Sequence, residues 1–145
     1  MKYSTRTRYG LRLLVYLGAR YKGKFLKLNT IAESEKISIK YLEQIVRLLK
    51  PTGIISVARG AHGGYKLAVD PAEINLKQIF TILEGNIDPI ECLQESFDCK
   101  KKVLCSTIEV WQGLQTVIDD YLEKNKLKDV VDNYKSKHSI NMFYI

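Results

Sequence analysis

The chain of 145 residues has no apolar run close to the roughly 20 residues that a membrane-spanning helix needs. The N-terminus, MKYSTRTRYG, is charged and is not followed by a hydrophobic region of the secretory type. These two absences predict a cytoplasmic protein that does not enter a membrane. With 46% hydrophobic residues, the chain can nevertheless build a folded core, so composition does not indicate disorder.

Acidic residues are scarce in the first part of the chain. Residues 1–66 contain 14 Lys and Arg but only 3 Asp and Glu, a net charge of +11. Residues 67–145 contain 9 Lys and Arg and 13 Asp and Glu, a net charge of −4. A strongly basic region suits the phosphate backbone of nucleic acid, which supplies most non-specific affinity. The mildly acidic remainder needs a different role.

Cysteines are few, odd in number and confined to one segment, at Cys92, Cys99 and Cys105. A secreted disulfide framework usually has an even and dispersed set. No C-x-x-C pair is present and neither histidine lies near a cysteine in sequence, which argues against a zinc site and against a thiol oxidoreductase. The residues alone leave three alternatives: an iron–sulfur cluster, a thiol sensor, or plain buried cysteines, which this polar context disfavours.

Residues 28–67 have the pattern of a winged helix-turn-helix. After a first helix over 7–21, a short second helix can begin at Asn29 or Thr30, and Ser38 is a good N-cap for a third. Residues 54–59 and 65–69 are predicted strands, joined by the glycine-rich turn at 60–64. This order of elements is typical of a module that reads DNA.

The rest of the chain predicts a connector and a dimerisation element. Asn75 and Gln78 can form a capping box for a helix that Gly85 ends. A long amphipathic helix follows the cysteines, then a short helix over 126–134 and an apolar tail. The long helix has a predicted buried stripe that consists of Leu104, Ile108, Trp111, Leu114, Ile118, Tyr121 and Leu122. So long a helix after so small a domain predicts a second subunit as its partner.

We therefore predict a mainly α protein with a small β-wing, and a homodimer. Residues 1–70 form the winged helix-turn-helix domain, 71–103 the connector helix and cysteine loop, and 104–145 the dimerisation helix and tail. In such a module the first turns of the third helix face base edges, and an arginine on the wing can enter the minor groove. The candidate DNA-binding residues are Ser38, Lys40, Tyr41, Glu43, Gln44, Arg47, Arg59 and Gly60.

Three stretches resemble the Rrf-two family of bacterial transcription regulators: KYSTRTRYGLRLL near the N-terminus, YLEQ at 41–44 and RGAHGGYKL in the wing. The resemblance extends through ILEG at 82–85, the three cysteines and the final MFYI. It implies a homodimer of winged helix domains, with Tyr41, Glu43 and Gln44 on the recognition helix and Arg59 and Gly60 on the wing. A regulator of this kind is not an enzyme.

The resemblance also bears on the cysteines. Cluster-binding members carry three cysteines in this loop, which implies a two-iron or four-iron cluster held by Cys92, Cys99 and Cys105. The positions that supply a fourth ligand in such members are Ile108 and Arg8 here. An acid such as Glu109, Glu91 or Asp98, a water or a small thiol could fill the site instead. Such a regulator would sense iron–sulfur, redox or nitric oxide status.

A second branch of the family lacks the cysteines and acts in cysteine metabolism. The alternative function is therefore a cluster-free repressor of cysteine or sulfur metabolism. Its similar ending implies a contact with cysteine synthase through the terminal carboxylate of Ile145.

Overall fold

The computed structural model describes residues 2–143 of the chain, with side chains through Ser139. It is mainly helical with one two-stranded antiparallel sheet, which confirms the predicted fold class. The elements are α1 (Thr5–Gly18), α2 (Leu28–Glu35), α3 (Ile39–Leu49), β1 (Ile55–Ala58), β2 (Gly64–Leu67), α4 (Leu76–Glu84), α5 (Ile108–Lys124) and α6 (Leu127–Phe143). Short 3-10 turns occur at Lys50–Thr52, Pro71–Glu73, Glu91–Leu93 and Lys102–Leu104.

Local capping explains where two of these helices begin. The Ser38 hydroxyl accepts a hydrogen bond from the Tyr41 backbone N–H at 3.2 Å, so Ser38 caps α3 as predicted. Asn75 and Gln78 form the predicted reciprocal capping box at the start of α4. Helix α2 differs, because it begins at Leu28 with no side-chain cap on its first turn. Burial of Leu28 in the core, rather than a capping side chain, accompanies that start.

The hydrophobic core is centred on α1, which contacts α2, α3, α4, α6 and β2. The inner face of α3 consists of four residues at helical spacing, and all four are buried: Leu42, Ile45, Val46 and Leu49. Two residues of α6, Leu127 and Val131, belong to the same buried cluster. Full burial of an aliphatic side chain stabilises a fold by about 1.5–3 kcal/mol, so the C-terminal helix contributes to the stability of the winged-helix half.

The wing is formed by β1 and β2, which pair from Ile55 opposite Leu67 to Ala58 opposite Gly64. A single antiparallel β-bridge between Leu26 and Tyr65 joins the segment before α2 to strand β2. Gly64 has a φ of +145°, and a Cβ at this position would collide with the backbone carbonyl of Leu26. The close approach of these two backbones therefore requires glycine at position 64.

The two C-terminal helices differ from the prediction in length and in which side chains they bury. Helix α5 begins at Ile108 rather than near Leu104, and α6 continues to Phe143, well beyond residue 134. The predicted single stripe of α5 is also wrong. Leu122 is buried and Ile118 packs, half-buried, against the protomer's own core, because α4 covers that side of α5.

The side chains that α5 leaves exposed form a second stripe, which shares Leu114 and Tyr121 with the predicted one. Val110 is 66% exposed, Val117 65%, Tyr121 63% and Leu114 38%. The apolar tail lies at the edge of what the structure describes: Tyr144 and Ile145 are outside the described residues, as are the side chains of Met142 and Phe143. Among the helices of residues 2–143, none is long and apolar enough to cross a membrane.

Candidate nucleic-acid interface and cysteine loop

The outer face of α3 gathers most of the predicted base-reading side chains. Lys40, Glu43, Gln44 and Arg47 are all exposed and follow one another at spacings of three, one and three residues. That spacing places them on one side of the helix, opposite the buried stripe. Ser38 is exposed at the N-cap, just before the first turn. The face therefore presents donors and acceptors of the kinds that recognise base edges in a major groove.

Glu43 stands out on this basic face. Four ion pairs occur in the described part of the chain, and Glu43 takes part in none of them. A carboxylate close to phosphates is unfavourable unless it accepts a hydrogen bond from a base such as cytosine. Because the Glu43 carboxylate takes part in none of these ion pairs, it can accept a hydrogen bond from a base and so discriminate between DNA sequences.

Tyr41 has a different environment from its neighbours on α3. It is half-buried, and its ring meets the ring of Tyr9 on α1 edge to face, with centroids 5.5 Å apart and planes at 78°. The Arg12 guanidinium lies 5.5 Å from the Tyr9 ring and pairs with Glu35 at 3.0 Å. These contacts hold the start of α3 against α1 and α2. Sequence reasoning missed Tyr9, Arg12 and Glu35, although the charge and aromatic content of α1 were visible.

The predicted wing residues Arg59 and Gly60 lie together at the exposed turn between β1 and β2. Gly60 has a φ of +96°, which a residue with a side chain rarely adopts. Arg59 is the one arginine of this turn, and its side chain is exposed. A two-stranded ribbon can place an arginine in a minor groove.

The three cysteines lie in the segment between α4 and α5, where the chain forms only short 3-10 turns. Cys92, Cys99 and Cys105 are free thiols of intermediate exposure. The Sγ of Cys105 is 3.4 Å from the Thr107 hydroxyl oxygen. Hydrogen bonds from the side chain and backbone of Thr107, with a smaller one from the backbone of Ile108, lower the pKa of the Cys105 thiol from its ordinary value.

The placement of these thiols does not form a ready-made metal site. Within residues 2–143, no three His, Cys, Asp or Glu side chains are gathered closely enough to hold a metal ion. Thiolates are suitable ligands for an iron–sulfur cluster, and a cluster accepts ligands that lie farther apart than those of a single ion. The absence of a single-ion site among the described residues therefore leaves the predicted cluster a prediction.

Sequence reasoning also missed a polar junction between the N-terminus and the end of α4. The Glu84 carboxylate accepts hydrogen bonds from the Ser4 N–H at 3.1 Å and from the Thr7 hydroxyl. The Arg6 Nε donates to the Leu83 carbonyl at 2.6 Å. Residue 84 lies in the ILEG stretch that contributes to the resemblance, but its partners are some 80 positions away in sequence.

The fold and the face of α3 define a winged helix-turn-helix DNA-binding protein. Comparison with known proteins identifies the family of DNA-binding proteins to which the chain belongs. Residues 3–133 match the model of the Rrf2 family, described as an iron-dependent transcriptional regulator. The HTH-type transcriptional regulator CymR of Bacillus subtilis is 32% identical over 145 residues, covering 100% of both chains.

Solved structures of related regulators have the same fold as this chain. That of CymR, the global cysteine regulator of B. subtilis, matches with a TM-score of 0.76 and 32% identity, over 92% of this chain and 98% of that one. The structure of T. potens IscR matches with a TM-score of 0.73 and 28% identity, over 92% of this chain and 88% of that one. The chain belongs to the Rrf2 family of transcriptional regulators. This confirms the predicted class, a DNA-binding regulator of transcription rather than an enzyme.

Proposed function

We propose that this regulator reads a two-part DNA operator as a homodimer, with one α3 in the major groove of each half-site and Arg59 in the adjacent minor groove. The observation that carries the proposal is the exposed face of Lys40, Glu43, Gln44 and Arg47, on a half of the chain with net charge +11. Positive charge supplies affinity for any duplex, while this set of side chains supplies discrimination among bases.

The exposed stripe of α5 supports the homodimer. Val110, Leu114, Val117 and Tyr121 recur at spacings of four, three and four residues, as in the seam of paired helices. A contiguous apolar stripe on a surface helix marks a protein interface. A second copy of the chain would cover the stripe of each subunit with that of the other, and the paired helices would set the separation of the two recognition helices.

Substitution of Arg59 by Ala tests the DNA-binding proposal. Operator affinity should fall by about 1–3 kcal/mol if the guanidinium contacts bases, and by less if it contacts phosphate alone. The operator is the duplex that the wild-type protein selects from a random pool, and binding is measured by fluorescence anisotropy at fixed salt. Lys135→Ala, which removes an exposed cation of α6, is the matched control. Equal affinity of the Arg59 variant and the wild type would remove Arg59 from the interface.

We further propose that the segment with the three cysteines receives the signal that controls DNA binding. It lies directly between α4, which packs on α1, and α5, which carries the exposed stripe. A change of conformation there would be passed to both the DNA-reading domain and the dimer contact. Two kinds of signal are compatible with the family: an iron–sulfur cluster held by Cys92, Cys99 and Cys105, and a thiol or sulfur-metabolism signal that needs no cluster.

For the cluster hypothesis, three soft ligands in one short segment are the supporting observation. The three thiols do not form a single-ion site among the described residues, so the test is for a cluster rather than for one bound ion. Protein expressed and purified under strict anaerobiosis with iron and sulfide should then absorb visible light and contain iron. Cys92→Ala, Cys99→Ala and Cys105→Ala should each lose most of that iron. Colourless, iron-free wild-type protein would refute the cluster hypothesis.

The cluster-free hypothesis is supported by the lowered pKa of Cys105 and by the 32% identity with a cysteine regulator. Added hydrogen peroxide, which oxidises a thiol to a sulfenic acid and is itself reduced to water, should then change operator affinity in the wild type and not in Cys105→Ala. A thiol reductant should reverse the change. In this hypothesis the C-terminal Ile145 contacts cysteine synthase. Removal of Ile145 should abolish co-sedimentation of the regulator with purified cysteine synthase, and an unchanged complex would exclude the tail as the contact.

A further inference from the structure

The connector between α1 and α2 is attached to the wing. The backbone N–H of Leu26 donates to the Tyr65 carbonyl at 2.8 Å, and the Tyr65 N–H donates to the Leu26 carbonyl at 2.9 Å. The Lys27 Nζ donates to the Gly60 carbonyl, in the wing turn itself, at 3.1 Å. Residues 24–27 are therefore held at a fixed position relative to Arg59.

Side-chain contacts hold the same two segments together. The Nζ of Lys66, on β2, lies 4.5 Å from the centroid of the Phe25 ring, a distance at which a cation is attracted to an aromatic face. The connector and the wing also line a shared surface groove, whose walls are Lys24, Phe25, Lys27, Ala61, His62 and Gly63. The wing is thus broader than a two-stranded ribbon.

This combined surface is positively charged. Residues 22–27 contain Lys22, Lys24 and Lys27, and residues 59–66 add Arg59 and Lys66, while neither segment contains an Asp or Glu. The three lysines of the connector and Arg59 are exposed. Concentrated cations with no acidic neighbour in either segment fit an extended polyanion, and a duplex carries one negative charge for about every 1.7 Å of its axis.

We propose that residues 22–27 form a second phosphate-binding surface, which contacts the DNA backbone beside the groove that Arg59 enters. The inference rests on the proposed DNA-binding function and adds a contact that none of the base-reading residues supplies. Because the connector is tied to the wing, its lysines approach the duplex whenever the wing does. Their contribution should be independent of base sequence, since phosphates carry no direct sequence information.

The test is the double variant Lys22→Gln/Lys24→Gln, which removes two charges and leaves the Lys27 anchor in place. Affinity for the selected operator and for a scrambled duplex should fall by the same factor. The slope of log affinity against log salt concentration should become shallower by about 0.9 for each phosphate that is no longer neutralised, or about 3.6 for the four charges that the variant removes from a homodimer. Lys135→Gln/Lys137→Gln, on the exposed surface of α6, removes the same charge and should leave the slope unchanged.

Several results would overturn the inference. If the slope of log affinity against log salt is unchanged in the Lys22/Lys24 variant, residues 22–27 do not bind phosphate. Normal operator binding by the wild type would then leave the proposed DNA-binding function intact. Weaker binding confined to the operator, with the scrambled duplex unaffected, would show that the connector reads bases instead. Failure of the wild type to bind any duplex would refute the proposed function itself. A circular dichroism spectrum of each variant distinguishes weaker DNA binding by a folded protein from unfolding.

Discussion

The carboxylate of Glu84 accepts a hydrogen bond from the hydroxyl of Ser4 at 2.8 Å, which joins the last residue of α4 to the residue that caps α1. Thr7, only 1% exposed, donates its hydroxyl to the same carboxylate. The cysteine-bearing segment begins immediately after α4. This junction is consequently where a change in that segment would first reach the DNA-reading domain.

Replacement of Glu84 by Gln should destabilise the protein in a pH-dependent way. Burial raises the pKa of Glu84, but hydrogen bonds from Thr7 and Ser4 and the charge of Arg6 outweigh it, so the pKa lies below its ordinary value. A carboxyl whose pKa is lowered by folding contributes stability above its unfolded pKa of about 4.3, and this is lost as pH falls through the folded pKa.

The free energy of unfolding of Glu84→Gln should therefore be lower than that of the wild type by about 1–3 kcal/mol at pH 7. The difference should shrink as pH falls below about 4. Urea titrations across this range provide the measurement. Glu33→Gln, an exposed acid on α2, should show neither effect. If the difference in free energy of unfolding between Glu84→Gln and the wild type does not depend on pH, the negative charge of Glu84 does not stabilise the junction.

Gly64→Ala should damage the wing more than Gly60→Ala. Both residues have positive φ, so both substitutions introduce backbone strain of about 1–3 kcal/mol. Only at position 64 would the new methyl group collide with the Leu26 backbone, since nothing lies within 4 Å of a Cβ at position 60. Urea midpoints should rank wild type above Gly60→Ala and Gly60→Ala above Gly64→Ala. The reverse ranking would contradict the close approach of residues 26 and 64.

Substitution by Asp at two adjacent positions of α5 should have different effects. Val117 is exposed on the proposed dimer stripe, whereas Ile118 packs against the core of its own protomer. Val117→Asp should weaken the dimer at least about tenfold, a cost of about 1.4 kcal/mol, and leave the protomer folded. Ile118→Asp should instead lower the melting temperature.

Sedimentation equilibrium and thermal unfolding separate these two effects. Thr116→Asp, on an exposed residue between the two faces, is the matched control and should change neither property. If Val117→Asp remains fully dimeric while Ile118→Asp dissociates without loss of stability, the second subunit contacts the other side of α5.

Glu43→Ala should change which sequences are bound more than how tightly DNA is bound overall. Removal of the carboxylate takes away an acceptor for a base and also a repulsion of phosphates, so non-specific affinity should be equal or higher. Selection from a random pool compares the motifs of the two proteins. Identical motifs would contradict a reading role for Glu43, and Glu33→Ala, also an exposed acid, should leave the motif unchanged.

The DNA-reading half could be predicted from sequence because its signals are local. Ser38 caps α3 through its own backbone neighbours, and the buried stripe of α3 follows the period of a single helix. The glycine-rich turn likewise locates the wing to within a few residues. Each of these features depends on residues a few positions apart, which a single sequence displays.

The C-terminal half could not be predicted as well because its burial depends on distant partners. Whether Ile118 or Val117 is covered depends on the position of α4, some 35 residues away. Residues 135–139 of α6 are all polar, so hydrophobic periodicity is interrupted after Tyr134 although the helix continues. The Glu84 junction joins positions about 80 residues apart, and no local pattern predicts it.

The burial of Leu127 and Val131 against α1 has a consequence for the order in which the protein is made. Helix α1 leaves the ribosome well before Val131, yet Val131 is the side chain that a Cβ on its Gly18 would meet first. Until residue 131 has emerged, one side of α1 remains uncovered. A nascent chain that already contains α3 and the wing is therefore expected to be a poor binder of DNA and a substrate for chaperones until α6 has also emerged.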